Sequence, residues 1–112
     1  MKCDEVSRLL KALAEPTRLR LVCLLARYGT ICVCELTEIT ELPQYHVSRH
    51  LGMLRNLGLV ADERDGARVN YKLAGGNDLL AQLTDVLATA IESCPRARQD
   101  LQRAAMLVGG RR

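Results

Sequence analysis

Residues 40–58 run Thr-Glu-Leu-Pro-Gln-Tyr-His-Val-Ser-Arg-His-Leu-Gly-Met-Leu-Arg-Asn-Leu-Gly, and the reading of this stretch decides the fold. Val47, Leu51, Leu54 and Leu57 recur at helical spacing, which leaves Gln44, Tyr45, His46, Ser48, Arg49 and His50 on the remaining faces. Pro43 suits the opening of such a helix and Leu57-Gly58 its end. A solvated helix without a further task usually carries Glu and Lys, yet from Pro43 to Leu57 there is no acidic residue. Just upstream, residues 35–39 suit a brief helix and residues 40–42 a tight turn. Downstream, two short strands meet about Asp65-Gly66, a strong hairpin signal. Val69, Tyr71 and Leu73 alternate with Arg68, Asn70 and Lys72, so the second strand has one buried face and one basic face.

A short helix, a tight turn, a longer helix and a basic hairpin make the layout of a winged helix-turn-helix, whose second helix enters the major groove of DNA. Gln44 suits adenine and Arg49 suits guanine or phosphate, while Tyr45, His46, Ser48 and His50 suit phosphate or base edges. Arg68 and Lys72 on the hairpin suit the flanking backbone.

Working outward, the chain continues as helices. Val6, Leu9, Leu10 and Leu13 give a first amphipathic helix over residues 4–14, which Glu15-Pro16 interrupts. A second helix from Pro16 to about Tyr28 is apolar around much of its circumference, and Gly29 closes it. Residues 30–33 suit an extended piece. Beyond the hairpin, Leu79, Leu83, Val86, Leu87 and Ile91 form a long stripe over residues 77–93, and Pro95 opens a last helix. The expected fold is therefore mainly α, ordered helix, helix, short helix, helix, hairpin, helix, helix. One domain over residues 1–108 and a loose tail at residues 109–112 are expected.

Aromatic residues make up 3% of the chain, with no Phe or Trp, so the core must be aliphatic and helix-rich. The net charge of +3 excludes little by itself. Its distribution is more informative: residues 44–72 carry five basic and three acidic groups, against six and six in residues 1–43 and five and four in residues 73–112. No apolar run approaches the roughly 20 residues of a membrane span, and the N-terminus lacks the layout of a secretory signal. A cytoplasmic protein is expected, and the five cysteines then suit reduced thiols better than a disulfide framework.

Cys32 and Cys34 stand out among those cysteines. On a regular helix such a pair diverges by about 200°. On an extended segment both sulfurs share a face, with alpha carbons roughly 6.6 Å apart. Thiolates sharing a soft ion lie roughly 3.8 Å from each other for bonds of about 2.3 Å, which side-chain rotation can reach. Cys34 also falls where the short helix should begin, and a helix N-terminus favours a thiolate. Cys23, within the apolar second helix, suits a core position. The only histidines are His46 and His50, which excludes a paired Asp/His metal site along the helix of residues 77–93.

Three stretches, Leu13-Ala14-Glu15-Pro16-Thr17-Arg18-Leu19-Arg20-Leu21, Cys32-Val33-Cys34-Glu35-Leu36 and Val47-Ser48-Arg49-His50-Leu51 with Leu54-Arg55 and Gly58-Leu59-Val60, carry a resemblance to the ArsR/SmtB family of metal- and metalloid-responsive repressors. The resemblance covers nearly the whole chain. It implies a homodimer joined through the first and penultimate helices, so that Val6, Leu9, Leu10, Leu13, Leu79, Leu83, Val86, Leu87 and Ile91 would meet a partner subunit. It also implies that Cys32 and Cys34 form a trivalent arsenic or antimony site, or half of a cadmium or lead site. The arsenic type usually adds a cysteine three residues beyond the pair, where this chain has Thr37. Cys3 or Cys94 is then the candidate third ligand. Arsenite tolerates two thiolates plus an external ligand, which favours it over cadmium and lead. The expected function is a repressor that leaves double-stranded operator DNA when arsenite binds. Thiol oxidation of the same pair is the alternative within that class. A small thiol enzyme is disfavoured, because the chain has no Cys-x-x-Cys, no phosphate loop around a cysteine and no strand-helix alternation. A dimerisation module without DNA binding would lack salt-sensitive duplex affinity.

Overall fold

The computed structural model describes residues 2–111, with the side chain of residue 111 left aside. Among the described residues the α-helices are α1 (Cys3–Leu13), α2 (Pro16–Tyr28), α3 (Val33–Thr40), α4 (Gln44–Asn56), α5 (Asp78–Ala90) and α6 (Pro95–Leu107). Three strands, β1 (Ile31–Cys32), β2 (Val60–Asp65) and β3 (Arg68–Leu73), pair antiparallel in the order β1-β3-β2. Ile31 lies opposite Tyr71 and Cys32 opposite Asn70, so β1 ties the start of α3 to the wing formed by β2 and β3. The expected winged helix-turn-helix is what forms; helix limits lie within about two residues of their expected places, except that α5 stops at Ala90 and residues Ile91–Ser93 tighten into a 3-10 turn.

Local chemistry sets these boundaries. Glu15 caps α2, accepting from the N–H groups of Thr17 (3.2 Å) and Arg18 (3.0 Å), while Pro16 occupies the first turn. Gly29 ends the helix at a φ of +78°, a conformation open to glycine. Asn77 caps α5 by accepting from Leu80 N–H at 3.0 Å. Pro43 stands at the N-cap of α4 instead of inside its first turn, and no side chain caps that helix. Gly109–Arg111 forms a single 3-10 turn where a loose tail was expected, and Arg112 lies outside the described residues.

The core is aliphatic and centred on α2, whose Leu21, Leu24 and Leu25 pack with Ile31, Leu36, Ile39, Val47, Leu51, Leu54, Leu80 and Val108. Two residues expected at a subunit contact belong to this core: Leu9 and Leu13 are 2% and 5% exposed. The apolar stripe of α1 is wide enough to have two sides, and residues four apart share the side that faces α2. Leu10 and, on α5, Val86 at 67% exposure remain outward. Val6, Leu79, Leu83, Leu87 and Ile91 are half-buried.

The helix-turn-helix corner is held from behind. Asp100 of α6, 2% exposed, takes a two-pronged contact from Arg20 of α2 at 2.7 and 2.8 Å and a third from Arg103 at 3.2 Å. Arg20 also donates to the Thr40 carbonyl (2.9 Å) and Arg103 to that of Ile39, so both guanidiniums cap the C-terminus of α3. The corner itself passes through Glu41 at a φ of +58°, the one non-glycine residue with positive φ among the described residues. Asp100→Ala leaves the largely covered Arg20 guanidinium without its carboxylate partner and is expected to lower the unfolding free energy by about 3 kcal/mol. Urea denaturation of the variant beside the wild type checks this.

Candidate functional site

Cys32 is the last residue of β1 and the N-cap of α3, and Cys34 lies in the first turn of that helix. The two do not share one extended face, as the spacing suggested. They converge by another route: the Cys32 side chain folds back over the helix start, accepts from the Cys34 N–H at 3.4 Å, and brings the sulfurs to 2.7 Å. Glu35 reaches back to the Cys32 N–H at 3.1 Å, which completes a capping box with cysteine where serine or threonine usually stands. Cys32 is buried and Cys34 exposed.

The two thiols are electrostatically unequal. Burial acts to raise the Cys32 pKa, but the Cys34 thiol, the N–H groups of Cys34 and Glu35 and the charge of Arg68 outweigh it and leave it lowered. Cys34 is raised, first by its hydrogen bond to Cys32, then by burial and by the charges of Cys32 and Glu35, against the pull of Arg68. The pair therefore releases its first proton readily and its second reluctantly. Cys23 is pushed up to about 11 by burial, as suits an inert core thiol.

No group of three Cys, His, Asp or Glu side chains placed to hold a metal ion occurs among the described residues. Cys3 lies on the outer face of α1 beside Val6 and Leu10, and Cys94 lies by a cleft lined by Pro16, Leu19 and Ile91. Neither joins the pair within the protomer. Two sulfurs already in contact, one of them exposed, suit a soft ion that accepts two thiolates and an outside oxygen, with some opening of the pair.

The exposed face of α4 carries Gln44, Tyr45, Ser48 and Arg49, with Tyr45 at 71% exposure. His46 is half-buried, between the Thr17 hydroxyl at 3.5 Å and Arg49, whose Nη2 lies 3.3 Å from Nδ1. His50 departs from expectation. It is 6% exposed and points inward, with its Nδ1 3.3 Å from Arg18 Nη1 and 3.5 Å from Glu15 Oε2. It lies one turn after His46 and three residues after buried Val47, on the edge of the helix that meets α2, so it is a packing residue and not an outward contact. The wing also differs from a purely basic hairpin: Asp62, Glu63 and Asp65 on β2 are exposed, and Asp62 pairs with Arg55 at 3.2 Å. Lys72 is exposed, whereas Arg68 turns to Glu35 at 3.4 Å.

These parts meet in one groove of about 320 Å³, lined by Cys32 and Cys34 from the start of α3, Gln44 and Ser48 from α4, and Arg64 and Arg68 from the wing. The model of the arsR family of bacterial regulatory proteins matches residues 15–62. The arsenic resistance transcriptional regulator ArsR1 of Pseudomonas putida is 51% identical over 63 residues, 56% of this chain and 49% of that protein. The arsenical resistance operon repressor of Escherichia coli is 43% identical over 67 residues, 60% of this chain and 57% of that protein. The chain thus spans about half the length of these curated relatives. The crystal structure of the antimony-specific transcriptional repressor AntR superposes with a TM-score of 0.70 at 30% identity, covering 80% of this chain and 78% of that one. The chain belongs to the ArsR family. The family segment contains the thiol pair, all of α4 and the Glu15–Arg18–His50 contact, and it ends inside β2.

Sequence reasoning missed several members of this ArsR-family site. Cys32-x-x-Glu35 has the spacing of a capping box, a signal hidden by the cysteine. Glu15 and Arg18 give no local signal, and Arg68 reads from the sequence only as a contact to the flanking DNA backbone, because the partners of all three lie on other elements. Burial holds the His50 pKa below the ordinary histidine value against the attraction of Glu15, with the charges of His46, Arg18 and Arg49 adding to the effect. A depressed folded value means stability that is present above about pH 6.5 and lost as pH falls through the folded pKa. Between pH 7.5 and 5, the His50→Gln variant is therefore expected to lose less unfolding free energy than the wild type, measured by urea denaturation across that range.

Proposed function

We propose that this chain is a metalloid-responsive transcriptional repressor that binds an inverted-repeat operator as a homodimer and leaves it when trivalent arsenic or antimony binds Cys32 and Cys34. The observation that carries this reading is the shared groove: the thiol pair and two outward residues of α4, Gln44 and Ser48, line the same cavity. The names of the relatives, which include arsenic resistance regulators and an antimony-specific repressor, support the choice of ligand. Cadmium and lead gain more from additional sulfurs, and within the protomer the described residues supply only the pair. Cys3 or Cys94 would have to reach the site from the partner subunit.

In the DNA-bound state, Gln44, Tyr45, Ser48 and Arg49 face the major groove, His46 supports Arg49, and Arg68 and Lys72 approach the flanking phosphates. The exposed α1 and α5 residues Leu10 and Val86, with half-buried Val6, Leu79, Leu83, Leu87 and Ile91, supply the subunit contact. The wing and α4 then lie on either side of the thiol pair. A ligand seated there alters the cap of α3 and the spacing between α4 and the wing. A thousandfold loss of DNA affinity requires the ligand to favour the non-binding arrangement by about 4 kcal/mol, within the range of thiolate coordination. Nothing in this function calls for catalysis, and its place is the cytoplasm.

The 2.7 Å between the sulfurs also favours a second reading, in which oxidation of the pair triggers release. Titration of labelled DNA from upstream of the gene separates the two. Cys32→Ser and Cys34→Ser proteins are expected to bind the duplex as the wild type does and to remain bound at arsenite concentrations that release the wild type. Release of the wild type by peroxide but not by arsenite, reversed by reductant, supports oxidation instead. Normal arsenite release of both variants overturns the site. In the same assay, Arg49→Ala is expected to weaken operator binding by about tenfold or more.

A further inference from the structure

Arg68 occupies the groove in a way the wing of a DNA reader does not require. Pairing of Cys32 with Asn70 brings the start of β3 against the start of α3. Arg68 Nη2 lies 3.4 Å from Glu35 Oε1, and that same oxygen accepts the Cys32 N–H at 3.1 Å. The carboxylate that caps α3 therefore also anchors the guanidinium beside the two sulfurs, and the charge of Arg68 acts on both. A guanidinium has five N–H donors, and the contact with Glu35 engages one nitrogen. The side chain is 51% exposed and lines the cavity together with the pair.

Two thiols and arsenous acid combine without change of oxidation state. Two As–O bonds break and two As–S bonds form, and the displaced hydroxyls leave with the thiol protons as two waters. One hydroxyl stays on arsenic, because no third thiol joins the pair within the protomer and position 37 is a threonine whose hydroxyl donates to the Val33 carbonyl at 2.8 Å. A divalent cation brings only exchangeable water and no covalently held hydroxyl. We propose that Arg68 is a specificity-determining residue that holds the remaining hydroxyl of a two-thiol-bound oxyacid, so that the groove prefers trivalent arsenic and antimony oxyacids to ligands lacking that oxygen. This rests on the metalloid reading above and adds the residue that distinguishes among thiol-seeking ligands.

The test compares arsenite with phenylarsine oxide, which also joins two thiols but carries a phenyl carbon in the third position and keeps no hydroxyl. Reduced full-length protein is titrated with each, and binding is followed by thiolate-to-arsenic absorption and by the loss of titratable thiols. Arg68→Gln is expected to weaken arsenite binding by roughly tenfold, the scale of one charge-assisted hydrogen bond, and to leave phenylarsine oxide within about twofold of the wild type. Arg68→Lys is expected to recover part of the loss. A weaker thiolate or a disturbed wing affects both ligands alike, so equal weakening of both, or no change in either, overturns the assignment. If the wild type takes up neither arsenical, the metalloid reading itself fails and the role of Arg68 falls with it.

Discussion

Short helices are stable only when their ends are satisfied, and α3, two turns long, is gripped at both. At its N-terminus, Cys32 and Glu35 close a capping box in which a sulfur replaces the usual hydroxyl. At its C-terminus, Arg20 and Arg103, held by buried Asp100, take up the Ile39 and Thr40 carbonyls. The rest of the molecule depends on this double grip. The turn through Glu41 leads directly from α3 into α4, and β1, which leads into α3, is paired with β3 of the wing. A shift of α3 therefore reaches both surfaces that flank the groove.

A cap made of sulfur differs from one made of oxygen in what it can bind. A serine in place of Cys32 would satisfy the same orphan N–H groups but have no affinity for soft ions. With cysteine there, the helix end and the ligand compete for one atom. The lowered pKa of Cys32 belongs to this arrangement, since the hydrogen bonds that hold the helix start also favour the thiolate. In the proposed release, ligand binding thus acts on a structural contact and not on a passive surface thiol. This gives the ligand a differential interaction with two states, the condition any switch must meet.

Element order, helix limits and the hairpin were legible along the chain because each rests on short-range chemistry. Pro16, Gly29, Asp65-Gly66 and Pro95 act on their immediate neighbours, and the apolar periodicities span only a few turns. The importance of Cys32 and Cys34 is legible as well, although the two sulfurs meet through a cap folded over a helix start and not on a common extended face. Amphipathic periodicity alone puts His50 outward, where polar residues of such a helix usually lie. It is inward because Arg18 and Glu15 of another segment offer it partners. Leu9 and Leu13 cannot be told from subunit-contact residues along the chain, because a wide apolar stripe does not say which of its sides faces its own protomer.

The sequence by itself determined which segments are helices and strands, where they stop, and that two thiols lie at the start of the helix preceding the DNA-reading element. Those outcomes depend on dihedral preferences and on contacts within about one helical turn. The tertiary structure alone decided that Arg68 faces the thiols, that Asp100 locks the corner of the reading module from a helix 80 residues away from its partner Arg20, and that His50 is buried. Each joins groups far apart in the chain. Their meeting is fixed by how α2, α4, α6 and the wing pack, and no local pattern encodes that.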